Sequence, residues 1–240
     1  MLFRSPRNEN YTLLSADYSQ IELRIIAALS EEDHMIEAFL QGQDIHRSTA
    51  AKVFGVPLEA VTKEQRSHAK TVNFGIIYGV SAIGLSQQTS LSRSQSKELI
   101  DTYYQTYPKL KGYIEKQIAF AREHGYVETI LGRRRYLLDI HSRNQVVRGA
   151  AERNAVNAPI QGSAADIIKV AMVRIAQRLE KEKMATRMLL QVHDELLFDV
   201  PKAELEVVTP LIREEMQNAC QLAVPLIVEI GTGSNWLEAH

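Results

Sequence analysis

Two aspartates are the residues of this chain whose type and setting most favour chemistry. Asp17 ends a short hydrophobic segment that begins at Tyr11, and Asp194 lies between the hydrophobic segments 188–192 and 196–200. If these segments are neighbouring strands of one sheet, both carboxylates reach the same edge. A carboxylate pair suits Mg²⁺, which retains water and binds substrate phosphates, and two such ions can clamp both oxygens of a phosphoryl displacement. Taken singly, either aspartate is more often a turn former or a helix cap.

A second candidate set repeats at every fourth position, and it consists of Arg66, Lys70, Phe74 and Tyr78. All four fall on one stripe of a helix, because four residues exceed one turn by only about 40°. Two cations followed by two aromatic rings suit a triphosphate at one end and a base at the other. The plainer alternative is a solvated cationic face followed by core aromatics.

Further polar residues could contact a ligand. Arg153, Asn157 and Gln161 repeat at the same spacing on a predicted helix. Such side chains can hydrogen-bond bases and sugars, although an ordinary helix surface would also carry them. His46 and His193 each lie near an aspartate, but neither has a partner histidine at the spacing of a zinc site. Zinc is therefore not predicted.

The composition is that of an ordinary globular protein. The chain has 240 residues and a formal net charge of -1, so a nucleic-acid role has to depend on a local basic patch. Arginines concentrated between residues 133 and 153 provide one. The single cysteine, Cys220, excludes an internal disulfide. No apolar stretch approaches the roughly 20 residues of a membrane helix, so no membrane contact is predicted and the cytoplasm is the expected location.

Hydrophobic periodicity predicts the elements that must position these residues. Strands are predicted at 11–17, 125–129, 188–192, 196–200 and 226–230. Helices are predicted at 19–29, 33–41, 44–54, 62–78, 92–123 with an interruption at Pro108, 146–182 and 203–220. Thr62 and Gln65 form a capping-box signature, and Gly79 is placed to end that helix. The expected fold class is α+β, with a mainly helical part and a small antiparallel sheet that carries the carboxylates.

Three segments, in this order, resemble the three polymerase motifs of the DNA polymerase I family, family A. They are Asp17-Tyr18-Ser19-Gln20-Ile21-Glu22-Leu23-Arg24, Arg66-x-x-x-Lys70-x-x-x-Phe74-Gly75-x-x-Tyr78-Gly79 and Val192-His193-Asp194-Glu195. Further likeness in Asp44-Ile45-His46, in residues 157–162 and in Asn235-Trp236 extends the resemblance over nearly the whole chain. The first ten residues do not resemble the family.

This resemblance implies template-directed DNA synthesis, in which a primer 3'-hydroxyl attacks the α-phosphorus of a dNTP and pyrophosphate leaves. Asp17 and Asp194 would hold two Mg²⁺ ions, for which Mn²⁺ could substitute, and the backbone carbonyl of Tyr18 would be a further ligand. Glu195 would serve as an auxiliary acid. Lys70 would protonate the leaving pyrophosphate. The expected location becomes a bacterial-type cytoplasm, at the nucleoid.

The resemblance also assigns substrate contacts. Arg66, Lys70 and His46 would bind the triphosphate. Phe74 would pack on the incoming nucleotide and disfavour nucleotides that lack a 3'-hydroxyl, Tyr78 would stack near the template position, and Glu22 would fill the space of a ribose 2'-hydroxyl. The remaining assigned residues are Gln20, at the nucleotide and the primer-template, and Arg153, Asn157, Gln161 and His193, at the primer-template DNA.

The implied domains are 1–32, the first part of a palm; 33–125, helical fingers; and 126–240, the second part of the palm. Family members normally carry a thumb and an exonuclease-like domain before the first motif, whereas only sixteen residues precede Asp17 here, so neither domain is expected in this chain. Weak, distributive synthesis is therefore expected, because a thumb supplies much of the grip on DNA. Two alternatives remain: a noncatalytic fragment that binds DNA or nucleotide, and one half of a split polymerase that needs an N-terminal partner.

Overall fold

The protein is mainly helical, with two small antiparallel sheets. A computed structural model describes residues 5–240. The strands are β1 (Tyr11–Tyr18), β2 (Tyr126–Glu128), β3 (Arg134–Tyr136), β4 (Arg187–Val192), β5 (Glu195–Pro201) and β6 (Val228–Gly233). The helices are α1 (Ile21–Ser30), α2 (Asp33–Leu40), α3 (Ile45–Phe54), α4 (Lys63–Ile77), α5 (Ala82–Gln88), α6 (Arg93–Thr106), α7 (Pro108–His124), α8 (Gln145–Lys181), α9 (Leu205–Gln217) and α10 (Trp236–Ala239). The predicted α+β class is confirmed.

Two compact units make up the chain, and the divisions fall at residues 21/22 and 163/164. In its described residues, the first unit comprises 5–21 and 164–240, which include β1, β4, β5, β6, α9 and α10. The second unit comprises 22–163, which include α2 to α7 and the β2–β3 hairpin. The palm and fingers boundaries at residues 32 and 125 stay a prediction.

The sheet of the first unit has the strand order β4-β5-β1-β6, and its neighbouring strands are antiparallel. β1 is buried from Thr12 to Ala16, as expected for a hydrophobic central strand with both faces covered. Its register places Asp17 opposite Glu195 of β5. The predicted adjacency of the two acidic strand ends is therefore confirmed.

Helix α10 packs on β6 where only glycine fits. A Cβ atom on Gly231 would lie 2.2 Å from the carbonyl oxygen of Ala239, and one on Gly233 would lie 2.7 Å from the Ala239 nitrogen. Real Cβ atoms do not approach that closely, so a side chain at either position would displace the helix. The side chain of Asn235 caps α10 by accepting a hydrogen bond from the Glu238 nitrogen.

In the second unit, α4 begins as its sequence predicts. The Thr62 hydroxyl accepts from the Gln65 nitrogen at 3.1 Å, and the Gln65 side chain accepts from the Thr62 nitrogen at 3.0 Å. Gly79 follows the helix with a φ of 69°, a left-handed conformation that glycine adopts without strain. Val72 and Ile76 are buried, so one face of α4 lies in the core and another carries the cations.

Three short elements escape the sequence patterns. The segment between the predicted helices 62–78 and 92–123 contains α5, which Ser81 caps by accepting from the Gly84 nitrogen. The basic stretch contains β3, which is strand only because it pairs with β2, and Arg134 reaches Glu128 across that pair at 2.7 Å. Helix α10 has 4 residues, too few for a periodic signal. Within residues 5–240, no helix is long and apolar enough to cross a membrane.

Candidate active site

The two predicted carboxylates line one cavity of the first unit. Asp17 is near the end of β1, and Asp194 lies in the tight turn between β4 and β5. His193 makes that turn with a φ of 53°. Asp17, His193, Asp194, Glu195 and residues of α10 line the cavity, which has a volume of about 460 Å³. The structure therefore brings the acidic pair together.

The environment of Asp17 disfavours an isolated negative charge. Burial, followed by the charges of Asp194 and Glu195, raises the pKa of the Asp17 carboxyl to about 6. His240 acts in the opposite direction. A cation in this cavity would relieve the repulsion among the three acids, since opposite charge favours the ionised carboxylate.

The donor set fits Mg²⁺ as a partly hydrated ion. Within residues 5–240, no group of three or more His, Cys, Asp or Glu side chains is arranged to hold a metal by itself. Asp17 and Asp194 nevertheless offer carboxylate oxygens to one cavity, and Mg²⁺ is commonly held by one or two carboxylates, waters and substrate phosphates. The Tyr18 nitrogen donates to the Asp194 carbonyl at 3.3 Å, which ties the backbones of the two candidate ligands together.

Glu195 is held by hydrogen bonds. Its side chain is buried. The Oε1 atom accepts from the Ser15 hydroxyl at 2.6 Å and from the Trp236 indole nitrogen at 2.7 Å. The Oε2 atom lies 3.5 Å from Nδ1 of His240. Glu195 thus adds charge beside Asp17 while two donors occupy one of its oxygens.

The cationic end of α4 lies on the surface of the second unit. Arg66 and Lys70 are exposed. The Nε atom of Arg66 donates to Oδ2 of Asp44 at 2.7 Å, while Oδ1 of Asp44 accepts from the backbone nitrogens of His46 and Arg47 at the start of α3. Burial raises the pKa of Asp44, but the hydrogen bonds from Arg66 and Arg47 outweigh it, so the pKa lies below its usual value. Asp44 therefore connects the start of α3 to Arg66 in the first turns of α4, and both segments are candidates for binding phosphate.

His46 is buried rather than exposed. Its Nδ1 atom lies 3.0 Å from the Asn73 amide nitrogen, and its ring is 5.7 Å from that of Phe74. Burial, with smaller contributions from Arg66 and Lys70, lowers the pKa of His46 to about 4, although Asp44 opposes the shift. A neutral imidazole whose Nδ1 accepts the amide hydrogen carries its own hydrogen on Nε2.

The aromatic end of the stripe meets Glu22. The Tyr78 hydroxyl donates to Oε2 of Glu22 at 2.7 Å. Phe74 and Tyr78 line a cavity of about 690 Å³ in the second unit, and Lys70 and Arg153 line it too. The aliphatic chain of Arg153 packs so closely on Gly79 that a Cβ there would lie 2.8 Å from the arginine Cγ. Arg153, predicted as a DNA contact, therefore shares a cavity with the α4 stripe.

The other predicted nucleic-acid residues occupy separate places. Oδ1 of Asn157 is buried and has no hydrogen-bond partner among the described residues, which leaves an acceptor for a ligand or water. Gln161 lines a small cavity with Arg133 and Arg135, so it lies beside the basic stretch. Gln20 links β1 to α1 with a left-handed φ of 57°.

Sequence reasoning missed the contacts that hold the candidate site residues in place. Ser15 could have been found, because it precedes Asp17 by two positions and therefore shares its face of the strand. Asp44, Asn73 and Trp236 had no comparable signal for the contacts they make, since each of these depends on how two elements meet.

The sequence matches a known protein family and several DNA polymerases. The family model for DNA polymerase family A matches residues 2–238. DNA polymerase I of Caldicellulosiruptor bescii is 50% identical over 228 residues, which are 95% of this chain and 27% of the relative. DNA polymerase I of Pseudomonas aeruginosa is 52% identical over 232 residues, which are 97% of this chain and 25% of the relative.

A solved structure is also similar: the POL domain of Pol1 from M. smegmatis in complex with DNA primer-template and dNTP. It has a TM-score of 0.94 and 47% identity, and the match covers 99% of this chain and 42% of that one. The chain belongs to DNA polymerase family A. It spans about a quarter of the length of the curated relatives. Because the family match starts at residue 2, the expectation that the first ten residues lie outside the family was wrong.

Proposed function

We propose that this chain carries out template-directed DNA synthesis, adding a deoxynucleotide from a dNTP to a primer 3'-hydroxyl. The observation that carries the proposal is the acidic pair, Asp17 and Asp194, lining one cavity at the end of two neighbouring strands. Family membership supports it, as does the similarity to a polymerase domain whose structure contains primer-template and dNTP. The site of action would be a bacterial-type cytoplasm, at the nucleoid.

In the proposed reaction, the primer 3'-hydroxyl gives up its proton to water and its oxygen forms a bond to the α-phosphorus, while the bond from that phosphorus to the bridging oxygen of pyrophosphate breaks. Asp17, Asp194 and the Tyr18 carbonyl would hold two Mg²⁺ ions, or Mn²⁺ in their place, which supply positive charge at the attacking and leaving oxygens. The raised pKa of Asp17 means that this carboxylate favours a cationic partner. The acidic pair would therefore be fully ionised with cations in place.

Residues of the α4 stripe would bind the triphosphate. Arg66 and Lys70 present cations to charge that grows on the departing pyrophosphate, so they stabilise the transition state more than the ground state. The ammonium of Lys70 would also donate a proton to the leaving oxygen. Neutral His46 would contribute a hydrogen-bond donor from Nε2, because Nδ1 faces Asn73.

Sugar and base selection would come from the aromatic end of the stripe. Phe74 would pack on the incoming nucleotide, and its lack of a hydroxyl would disfavour nucleotides without a 3'-hydroxyl. Glu22 would occupy the space of a ribose 2'-hydroxyl, and the hydrogen bond from Tyr78 would hold it there. Tyr78 itself would stack near the template base.

Primer-template DNA would be the macromolecular partner. Gln20, Arg153, Asn157, Gln161 and His193 are the proposed contacts, and polar side chains of this kind suit the degenerate minor groove. Phosphate contacts supply most sequence-independent affinity for DNA and weaken with salt. Synthesis by these 240 residues alone would therefore be weak, distributive and sensitive to salt.

The test is single-nucleotide primer extension by the purified chain at low salt with Mg²⁺. Asp17→Ala should abolish templated addition, as should omission of the metal. Glu206→Gln, an exposed acid on α9, is the matched control and should retain activity. If the folded chain is inactive alone but gains activity when an N-terminal polymerase fragment is added, it is one half of a split enzyme. If it is inactive but still binds DNA or dNTP, it is a noncatalytic fragment.

A further inference from the structure

Glu195 is held in an unusual way for an acid beside a proposed cation site. Glu195 is buried, since only 5% of the residue is exposed. Two neutral donors, the Ser15 hydroxyl and the Trp236 indole N–H, converge on the same oxygen, Oε1. A buried charge is costly unless it is hydrogen-bonded, so these two bonds favour one orientation of the carboxylate.

The two donors come from parts of the chain that are themselves fixed. Ser15 lies in the central strand β1, two residues before Asp17. Trp236 begins α10 and packs against a buried cluster that includes Leu13 and Leu197. Helix α10 in turn sits on Gly231 and Gly233, where any side chain would collide with it. The indole N–H therefore has little freedom to leave Oε1.

We propose that Trp236 and Ser15 are positioning residues, which hold Glu195 so that its negative charge lies beside Asp17 without becoming a primary metal ligand. The inference rests on the proposed function of Asp17 and Asp194 as the cation site. An acid held behind the two ligands would strengthen cation binding through its charge, while the coordination positions around the ion stay open for water and substrate phosphate. Outer partners of this kind orient and tune metal sites.

The carboxylate's second oxygen supports this assignment. Oε2 faces Nδ1 of His240 at 3.5 Å, and Glu195 and His240 both line the cavity that holds Asp17 and Asp194. If the indole N–H were lost, Oε1 would keep one donor and the carboxylate could turn away from Asp17. The negative potential at the acidic pair would then fall.

The test measures Mn²⁺ binding directly, without catalysis, by the electron paramagnetic resonance signal of free Mn²⁺. Trp236→Phe removes the N–H and keeps an aromatic ring in the packing, whereas Ser15→Ala removes the other donor. Each should weaken Mn²⁺ binding by on the order of tenfold. Neither should weaken it further when Glu195→Gln is already present, because both act through Glu195.

A matched control separates positioning from loss of stability. Thr12→Val removes a buried hydroxyl from the same strand, where it donates to the Gly233 carbonyl at 3.0 Å. It should lower the melting temperature but leave Mn²⁺ binding unchanged. In the Ser15→Ala chain, Trp236 is the sole tryptophan, so its fluorescence reports whether α10 stays in place; an emission spectrum like that of the unaltered chain is expected.

The outcomes are distinguishable. Weaker binding in both single variants, absent in the Glu195→Gln background, would support the positioning role. Unchanged or tighter binding in either single variant, or effects that add to that of Glu195→Gln, would overturn it while leaving the acidic pair as the cation site. If the unaltered chain bound no Mn²⁺, the proposed cation site itself would fail, and this inference with it. Should Trp236→Phe not fold, Ser15→Ala carries the same test.

Discussion

The acidic pair and the α4 stripe differ in the sign of their charge and in their exposure to solvent. The acids lie at the end of a buried sheet, where burial and mutual repulsion raise the pKa of Asp17 to about 6. The cations Arg66 and Lys70 lie exposed on a helix, where water screens them. Repulsion among the acids destabilises the folded chain until a cation binds, whereas the exposed cations on α4 have little effect on the stability of the fold.

Because of this difference, substitutions in the two regions should affect activity and stability differently. At the sheet, register fixes each side chain, and hydrogen bonds from Ser15 and Trp236 support Glu195. On α4, the Arg66 guanidinium is held by a surface ion pair with Asp44. Removing a charge from the acidic pair should therefore lower activity and raise stability, whereas changes on the helix surface should alter ligand binding with little effect on stability.

The largest effect is expected when a charge is removed from the acidic pair, which tests the difference between the two regions directly. Asp17→Asn should lower single-nucleotide incorporation by on the order of 10³-fold or more, since the proposed metal charge at the reacting oxygens would be lost. The same variant should raise the melting temperature, because it removes repulsion from Asp194 and Glu195. Single-turnover extension and thermal unfolding measure the two effects. A destabilised Asp17→Asn chain would contradict the electrostatic account.

On the helix, Lys70→Ala should lower the rate of nucleotide addition by about 10²-fold, the usual contribution of a positioned proton donor. Its melting temperature should barely change, because Lys70 is exposed. Rapid-quench measurement at saturating dNTP separates the rate from binding. Lys63→Ala, on the same helix and also exposed, is the control and should behave like the unaltered chain.

Sugar selection tests the contact between Glu22 and Tyr78. Glu22→Ala should reduce discrimination against ribonucleotides by about 10- to 100-fold, because the space for a 2'-hydroxyl opens. Tyr78→Phe removes the donor that holds Glu22 at 2.7 Å, so a smaller loss in the same direction is expected. The ratio of kcat/KM for dNTP and the matching ribonucleotide measures both. Equal discrimination in all three chains would count against Glu22 as the sugar filter.

Buried His46 predicts how the stability of the chain depends on pH. Its folded pKa of about 4 lies below the ordinary value of 6.5, so between these values the unfolded chain binds a proton that the folded chain excludes. The contribution of His46 to the free energy of unfolding should therefore fall by on the order of 2 kcal/mol as the pH drops from 6.5 to 4, while Asp17, whose folded pKa of about 6 lies above its ordinary value, acts in the opposite direction. Urea unfolding isolates the His46 contribution: relative to the unaltered chain, His46→Gln should gain stability by about this amount between pH 6.5 and pH 4. An imidazole that titrates near 6.5 by NMR would refute the shift.

The smallest effect is expected at Asp44. Asp44→Asn keeps a good helix cap but loses the negative charge that pairs with Arg66, so stability should change by less than about 1 kcal/mol. Asp44→Ala loses the cap as well and should cost about 1 kcal/mol more. Chemical denaturation of both variants checks this order. An equal loss in Asp44→Asn and Asp44→Ala would show that the ion pair with Arg66, rather than the cap, matters most.

Much of the local structure could be predicted because its causes are local. The capping box at Thr62 and the stop at Gly79 depend on residues a few positions apart, and both are confirmed. β3 could not be predicted, because arginines form a strand there only through pairing with β2. The burial of His46 also lay out of reach, since it depends on the packing of α3 against α4.

The sequence by itself determined the family and the acidic strand ends, because the order of motifs and the positions of hydrophobic segments can be read directly from the order of residues. Tertiary structure alone decided which groups surround those acids. Trp236 lies 41 positions from Glu195 yet donates to its carboxylate, and Ser15 reaches the same oxygen across 180 positions. Hydrogen bonds depend on the distance and direction between two groups in space, and the spacing of residues along a chain does not specify either until the sheet and α10 have formed.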